Sequence, residues 1–535
     1  MADISAELNQ TPPYVGVNLF TSDQALREAV ALNGAGGEGD ALSAFGARWG
    51  TPEMFEQARI ANRNPPVLEG DIISFDPAYH HFMAESMRAG LHCATWTAEG
   101  ETAPPPSEVA RAACFYMVAQ VENGHMCPIT MTRASVAALR SAPDLLDVVL
   151  PKIASRTYDP SFRSWREKTA VTLGMGMTEK QGGTDVRTNT TQAIRADGGY
   201  AITGHKWFMS APMCDAFIVL AQAPDGLSCF FMPRFRPDGS INGLHFQRLK
   251  DKLGNRSNAS SEVEFHDAFA LILGEEGKGI RTILQMVQLT RLDCAISSAG
   301  MMRMALAQAL HHARHRSVFQ KKLADQPMMR SVLADMALDL EGAVAAVMRL
   351  CRSFDLAASN ELEAARARLL TPAIKYWVCK TAPAFVYEAM ECLGGNGYVE
   401  GSILPRLYRE APVNAIWEGS GNVMGLDVLR AAEKGAGARA VIEGLSEIIR
   451  DFPGAIDAID RIQTVLKSGG AEARARWLTE QIAHLAAAAA LAETVPEIAA
   501  NFIRMRMGQI CKGTYGACDI ADISSRLLER ALPEA

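Results

Sequence analysis

The sequence predicts an α+β protein, mostly α, in which one small antiparallel β-domain interrupts a succession of helices. Three observations carry this. Apolar residues recur at three- and four-residue spacing over most of the chain, short β-prone runs cluster after Gly174, and the strands are grouped rather than alternating with helices. The 535 residues exceed what one hydrophobic core holds, so several packed units are expected, with room for a large cofactor.

The elements follow in order. From about Ser22 to Leu150 the helical period is broken by joints at Gly34-Ala35-Gly36-Gly37 and Pro104-Pro105-Pro106, which gives an N-terminal helical domain over residues 1–173. Over 174–275 the runs Tyr200-Ala-Ile-Thr, Phe217-Ile-Val-Leu, Cys229-Phe-Phe-Met and Val263-Glu-Phe read as strands. The turn signals Asp197-Gly198-Gly199, Pro224-Asp225-Gly226 and Pro237-Asp238-Gly239 separate them. After Glu275-Glu276-Gly277-Lys278-Gly279 the helical period returns with Ile280, Ile283, Leu284 and Val287, and 276–434 is expected to form a helical bundle. Gly435-Ala436-Gly437-Ala438 reads as a linker to a C-terminal helical domain over 435–535.

Composition excludes several classes. With 48% hydrophobic and 21% charged residues the chain is neither disordered nor membrane-like, and a net charge of -7 gives no global attraction to nucleic acid. Eleven cysteines, with no C-x-x-C pair, fit neither a disulfide framework nor a zinc cage and point to a reducing compartment. The N-terminus lacks the basic and apolar regions of a secretory signal, and the apolar stretch Leu485–Leu491 is too short to span a bilayer, so a cytoplasmic protein is expected. His311 and His315 share a helix face without a third ligand, and Gly395-Asn-Gly397 misses the spacing of a dinucleotide fingerprint and follows a helix.

Chemistry concentrates in five stretches: Met175-Gly-Met-Thr-Glu-Lys-Gln-Gly-Gly-Thr-Asp185, Gly204-His-Lys-Trp-Phe-Met-Ser210, Lys252-Leu-Gly-Asn-Arg256, Gly394-Gly-Asn-Gly-Tyr398 and Ile416-Trp-Glu-Gly-Ser-Gly-Asn422. Paired glycines with flanking hydroxyls let backbone N–H groups approach an anion or a flavin edge, although the first stretch alone is equally a turn between helix and strand. In this order, over about Ala84 to Arg430, the five together resemble the acyl-CoA dehydrogenase family. Their wording is most similar to its AidB branch, the alkylation-response homologues, which carries an additional C-terminal helical domain where residues 435–535 stand here.

The resemblance implies FAD as cofactor, an acyl-CoA as substrate and a homotetramer. It assigns Met175, Met177 and Thr178 to the flavin wall and Gly183 and Thr184 to the substrate or pyrophosphate side. Phe208, Met209 and Ser210 follow, with Phe and Ser at the places where the ordinary family has Trp and Thr. Arg316 and Phe319 match the Arg-x-x-Phe that reaches the FAD of a neighbouring subunit, and Gln320 stands where the family has Gly. Glu391 replaces a Gln beside that cofactor, and Gly395, Ile416, Ser420 and Asn422 complete the set. Glu418 is the implied base: oxidising an acyl thioester needs a carboxylate for the α-proton and a hydride acceptor on the other face. The family's alternative base position holds Thr290.

Beyond Gly435 there are eleven Lys/Arg against thirteen Asp/Glu. The AidB resemblance implies binding of double-stranded DNA by this region, for which the sequence offers Arg474, Arg476, Arg504, Arg506 and Lys512; solvated helix surfaces and oligomer contacts explain the same residues. Two functions stay open: a DNA-associated flavoprotein of the alkylation response with weak dehydrogenase activity, and a metabolic dehydrogenase of a short or branched acyl-CoA without DNA binding.

Overall fold

The computed structural model describes residues 9–96, 107–467, 471–508, 515 and 522–533. They fall into two compact units. One comprises the chain up to Phe55, Ser107–Val121 and everything from Arg291; the other comprises Glu56–Pro106 and Glu122–Thr290. The segment 1–173 thus contributes to both, and the C-terminal helices belong to the first.

The second unit is built on a seven-stranded sheet: Leu173–Gly176, Gln192–Ala196, Gly199–Ser210, Ala216–Ala223, Gly226–Pro233, Leu244–Leu249 and Ser260–Leu273. The strands lie in the order first, third, second, fourth, fifth, seventh, sixth, and further pairings of first with fourth and third with seventh wrap the sheet round. Asp197-Gly198 makes the expected tight hairpin, with Ala196 opposite Gly199 and Gly198 at φ +71°. One departure from the antiparallel expectation is the first strand, which runs parallel to Ala216–Ala223. The chain crosses over through the Met177–Thr191 loop and a hairpin before it returns beside that strand, and such a crossover gives parallel pairing. Inward residues Ile202, Met209, Phe217, Val219, Phe230, Val263 and Phe265 fill the core. Around it lie the helices Pro77–Arg88, capped by Asp76 with Pro77 in its first turn, and Met126–Leu139, buried on every side.

The first unit is helical. The helices Pro327–Leu356 and Glu361–Cys392 form its spine, and Gln24–Val30, Glu108–Ala119, Gly421–Lys434, Ala436–Ile449 and Ala475–Thr494 pack against them. The Ala-rich run 482–491 is a buried helix face, where small side chains allow close approach of neighbouring helices. No helix among the described residues is long and apolar enough to cross a membrane.

Buried ion pairs lock this unit. Arg111 bonds Glu108 at 3.0 Å and also Asp293, and Arg303 lies 3.0 Å from Asp23. Two further arginines fasten the C-terminal segment to Pro327–Leu356: Arg506 to Asp335 and Asp339, and Arg530 to Glu341. Lone charges at these depths would cost several kcal/mol each, so pairing is a condition of burial.

Candidate active site

The β-bearing unit presents a wall made by one irregular strand and one loop. Between Lys206 and Met209 the register against Ser260–Leu273 shifts, so Trp207 and Phe208 together face one partner residue. The bulge turns two consecutive aromatics outward while Lys206 and Met209 both point into the core. Phe208 is 48% exposed and Lys250 Nζ stands 4.5 Å from its ring centroid and 3.6 Å from that of Trp207. Ser210, half-buried, pairs with the buried Met175, and Trp207 N–H donates to the Thr178 carbonyl at 2.8 Å. Met177 and Thr178 are half-buried, Thr184 is exposed, and a Cβ on Gly183 would come within 2.3 Å of Thr178 Oγ1.

An exposed flat ring beside bare glycine backbone, edged with the Thr178 and Ser210 hydroxyls, is the chemistry a flavin ring requires, and these residues fit FAD. The Met209 side chain does not line the wall: it is buried in the sheet core, because the bulge puts it on the inner face, and its backbone alone borders the wall.

A buried pair sets the shape of this loop. Glu179, fully enclosed, accepts from Lys206 Nζ at 2.6 Å, Thr190 N–H at 2.7 Å and Thr191 N–H at 3.3 Å, while Lys206 also donates to the Leu220 carbonyl at 2.8 Å. Burial by itself raises a carboxyl, but the Lys206 ammonium and the loop N–H groups outweigh it and hold Glu179 at about 2.

In the helical unit the helix Val413–Ile416 ends in a sharp turn. Glu418 has φ +58° and Gly419 φ +103°. A glutamate in the left-handed region costs about 1–2 kcal/mol and persists where its surroundings dictate it. Here three consecutive carbonyls are held by two buried cations: Lys375 Nζ donates to the Trp417 carbonyl at 2.8 Å and to that of Gly419 at 2.6 Å, and Arg291 Nε to that of Glu418 at 3.0 Å. Arg291 is fixed in turn by Asp427 at 2.7 Å, which also accepts from Arg368 at 2.5 Å. The Trp417 indole donates to Asn414 Oδ1 at 2.9 Å, and Asn414 Nδ2 donates to Ser298 Oγ at 3.1 Å. Beneath lie Cys294 and Cys379, whose thiols burial pushes above the ordinary cysteine value.

Around this turn Ile416 is 67% exposed, Ser420 precedes the helix Gly421–Lys434 without a side-chain capping bond, and Asn422 is exposed in its first turn. Glu391 and Gly395 are exposed where the helix Glu361–Cys392 ends, and the Gly394 N–H donates to the Glu391 carbonyl at 2.9 Å. Gly397 must be glycine, since a Cβ there would lie 2.2 Å from the Met390 carbonyl oxygen. Thr290 is buried, its hydroxyl donating to the Val287 carbonyl at 2.9 Å.

Arg316 and Phe319 sit on a small hairpin, Ser317–Val318 against Lys321–Lys322. Phe319 and Gln320 form its tip, both at positive φ, and Phe319 is 89% exposed. Arg316 Nη1 donates to the Asn9 carbonyl at 2.6 Å. His311 and His315 use ring nitrogens on the carbonyls of Pro12 and His311.

The five predicted DNA contacts separate. Arg474 and Arg476 are exposed, the latter with its guanidinium carbon 5.8 Å from the Tyr376 ring centroid, and Arg504 pairs with Asp522 at the surface. Arg506 is withdrawn from the set: its guanidinium is buried between Asp335 and Asp339, because those aspartates need a cation at that depth. Lys512 lies outside the described residues. Sequence reasoning missed Lys375, Glu179 and Lys206. Arg291 was visible only as the neighbour of Thr290.

Residues 9–160 match the adaptive response protein AidB N-terminal domain, 174–268 the acyl-CoA dehydrogenase middle domain and 277–433 the acyl-CoA dehydrogenase C-terminal domain. The chain is 49% identical over 490 residues to AidB of Escherichia coli (strain K12), covering 89% of each sequence. It is similar to Caenorhabditis elegans ACDH-11, solved in complex with C11-CoA, with TM-score 0.85 and 25% identity over 100% of this chain and 94% of that one. It is also similar to Bd2924, solved in its apo-form, with TM-score 0.81 and 27% identity over 90% of this chain and 99% of that one.

Proposed function

The chain belongs to the AidB-like branch of the acyl-CoA dehydrogenase family, FAD-dependent oxidoreductases, and from that premise we propose that it oxidises the Cα–Cβ bond of an acyl-CoA with Glu418 as the base. The observation that carries this is the Glu418 turn: a left-handed glutamate followed by Gly419, with its backbone held by Lys375 and Arg291. A carboxylate on such a turn presents its side chain and a backbone N–H together. The N–H donates to the thioester carbonyl, which acidifies the α-carbon, and Glu418 takes the α-proton. The chemistry that FAD would supply here, when bound, is that of the hydride acceptor for the β-carbon. Met175, Met177, Thr178, Phe208 and Ser210 would hold its ring and exclude water from one face. A long acyl chain is supported as substrate by the C11-CoA bound to ACDH-11.

The test is anaerobic mixing of the yellow protein with a panel of acyl-CoAs of graded chain length while flavin absorbance is followed. One of them is expected to bleach the flavin, and Glu418→Gln, with FAD retained, to slow bleaching about a hundredfold or more. Glu418→Gln at the wild-type rate contradicts the assignment.

Two finer readings belong to the same proposal. The protein assembles as a homotetramer, supported by Phe319, 89% exposed on a strained hairpin tip where a lone monomer gains nothing from it. It works in the reducing cytoplasm, supported by described cysteines that are all free thiols. A second reading, duplex DNA binding in the alkylation response, is supported by the exposed Arg474 and Arg476 beside the helix Ala475–Thr494. In acidic surroundings such a site contacts phosphates, independent of sequence, and weakens as salt rises. Titration of random duplex with wild type and Arg474→Ala/Arg476→Ala checks it; equal binding by both moves the site elsewhere, and no binding at low salt removes the reading.

A further inference from the structure

Nothing in the base's own chemistry explains why a lysine should be buried behind it. Lys375 is 1% exposed on the helix Glu361–Cys392 and meets the carbonyls on either side of Glu418 at 2.8 and 2.6 Å. These are charge-assisted distances, and a cation in so enclosed a place is costly unless its bonds are used. We propose that Lys375 is a positioning residue of the oxidation, one that fixes the left-handed Glu418 and polarises the peptide whose N–H meets the thioester carbonyl. The proposal rests on the reading of Glu418 as the base.

Two steps of geometry lead there. A trans peptide is planar, with its N–H antiparallel to its C=O. The Trp417 carbonyl and the Glu418 N–H belong to one peptide, so drawing that carbonyl onto Lys375 turns the Glu418 N–H to the side away from the lysine. The Gly419 carbonyl is drawn onto the same ammonium, and between them Arg291 takes the Glu418 carbonyl at 3.0 Å. With all three oxygens fixed, the φ of Glu418 has no freedom to relax out of the left-handed region, and its side chain leaves the turn in one direction.

The second step is electronic. A cation on a carbonyl oxygen withdraws charge through the peptide and makes the N–H at its other end a stronger donor. Lys375 therefore acts on the developing enolate oxygen without touching it, through the peptide 417–418. Its effect grows as negative charge develops on that oxygen, so it falls on the chemical step rather than on substrate binding.

The experiment uses the FAD-loaded protein with an acyl-CoA that bleaches the wild-type flavin. Lys375→Met keeps an unbranched side chain one atom shorter and removes the donors. It is expected to retain FAD and a KM within about threefold of wild type, to slow flavin reduction by about tenfold or more, and to speed amide hydrogen exchange in residues 413–424 without substrate. Lys375→Gln, which restores a neutral donor, is expected to recover the slow exchange but only part of the rate. Lys375→Met with the wild-type rate and exchange overturns the proposal while Glu418→Gln is inactive; Glu418→Gln at the wild-type rate overturns the assignment of the base instead. If Lys375→Met does not fold, the Gln variant decides alone: reduction at the wild-type rate overturns the proposal, and a lowered kcat at unchanged KM supports it.

Discussion

Glu179→Gln is the substitution whose consequence the structure specifies most fully. The wild-type carboxylate neutralises Lys206 inside a fully buried pair and ties both Thr190 and Thr191 N–H groups to the loop that carries Thr178 and Gly183. Removing one partner of a buried pair costs about 3–5 kcal/mol, because the other charge is stranded. Lys206 would keep the Leu220 carbonyl and an amide oxygen, but no charge to neutralise it. Near 3 kcal/mol, the β-bearing unit should melt about 10 °C lower, read by circular dichroism and by release of flavin fluorescence. Asp185→Asn, in the same loop but in an exposed pair with Arg187, should shift the melt by about 1 °C at most. The same pair predicts an acid limb. Since the folded carboxyl titrates below the unfolded one, its stabilisation is complete above pH 4.5 and is lost as pH falls towards 2. Glu179→Gln should lack that part of the acid destabilisation. A variant melting within a degree of wild type, or a Glu179→Gln/Lys206→Met double variant no more stable than the single one, would refute the argument.

Two further outcomes can be measured on the same preparations. Arg506→Ala strands Asp335 and Asp339 and should cost about 3–5 kcal/mol by denaturant unfolding, whereas Arg476→Ala, at the surface, should stay within about 0.5 kcal/mol. Phe319→Asp should leave the fold intact but reduce the assembly size in light scattering; an unchanged assembly would show that the hairpin tip is not in the interface.

The parts of the fold that announce themselves in sequence are those fixed by local chemistry. Asp197-Gly198 turns where it does because glycine takes φ +71° without cost, and the helix after Asp76 starts where a capping carboxylate precedes a proline. Glu418 was legible only through its neighbours, since a glutamate before a glycine carries no catalytic signal of its own. Its support was not legible at all. Lys375 stands in mid-helix without a pattern around it, 42 residues from the carbonyl it holds. Arg291, Asp427 and Arg368 meet the turn from three separate stretches of chain. The bulge at Trp207-Phe208 was hidden for a related reason: it is a mismatch between two strands, and neither strand records it alone.

The arginines show the same division from the other side. Arg504 and Arg506 look alike in Ile503-Arg-Met-Arg-Met507, both flanked by apolar residues, and a reading confined to the sequence treats them as one basic cluster. Their partners separate them. Arg504 meets Asp522 at the surface, while Arg506 is enclosed with two aspartates 167 and 171 residues away on another helix. A positive residue therefore says little about phosphate binding until its own carboxylates are counted. With Arg506 spent on Asp335 and Asp339, the predicted set keeps Arg474 and Arg476 exposed at the start of Ala475–Thr494, in a segment with more acids than bases. Fewer neutralised phosphates mean a shallower dependence of affinity on salt. If this region does bind duplex DNA, its logarithmic salt slope should be about -2 for these two contacts rather than the -4 to -5 of the full five-residue set. A slope near -5 would mean that further exposed cations of this segment, such as Arg439, Arg450 and Lys467, join the contact.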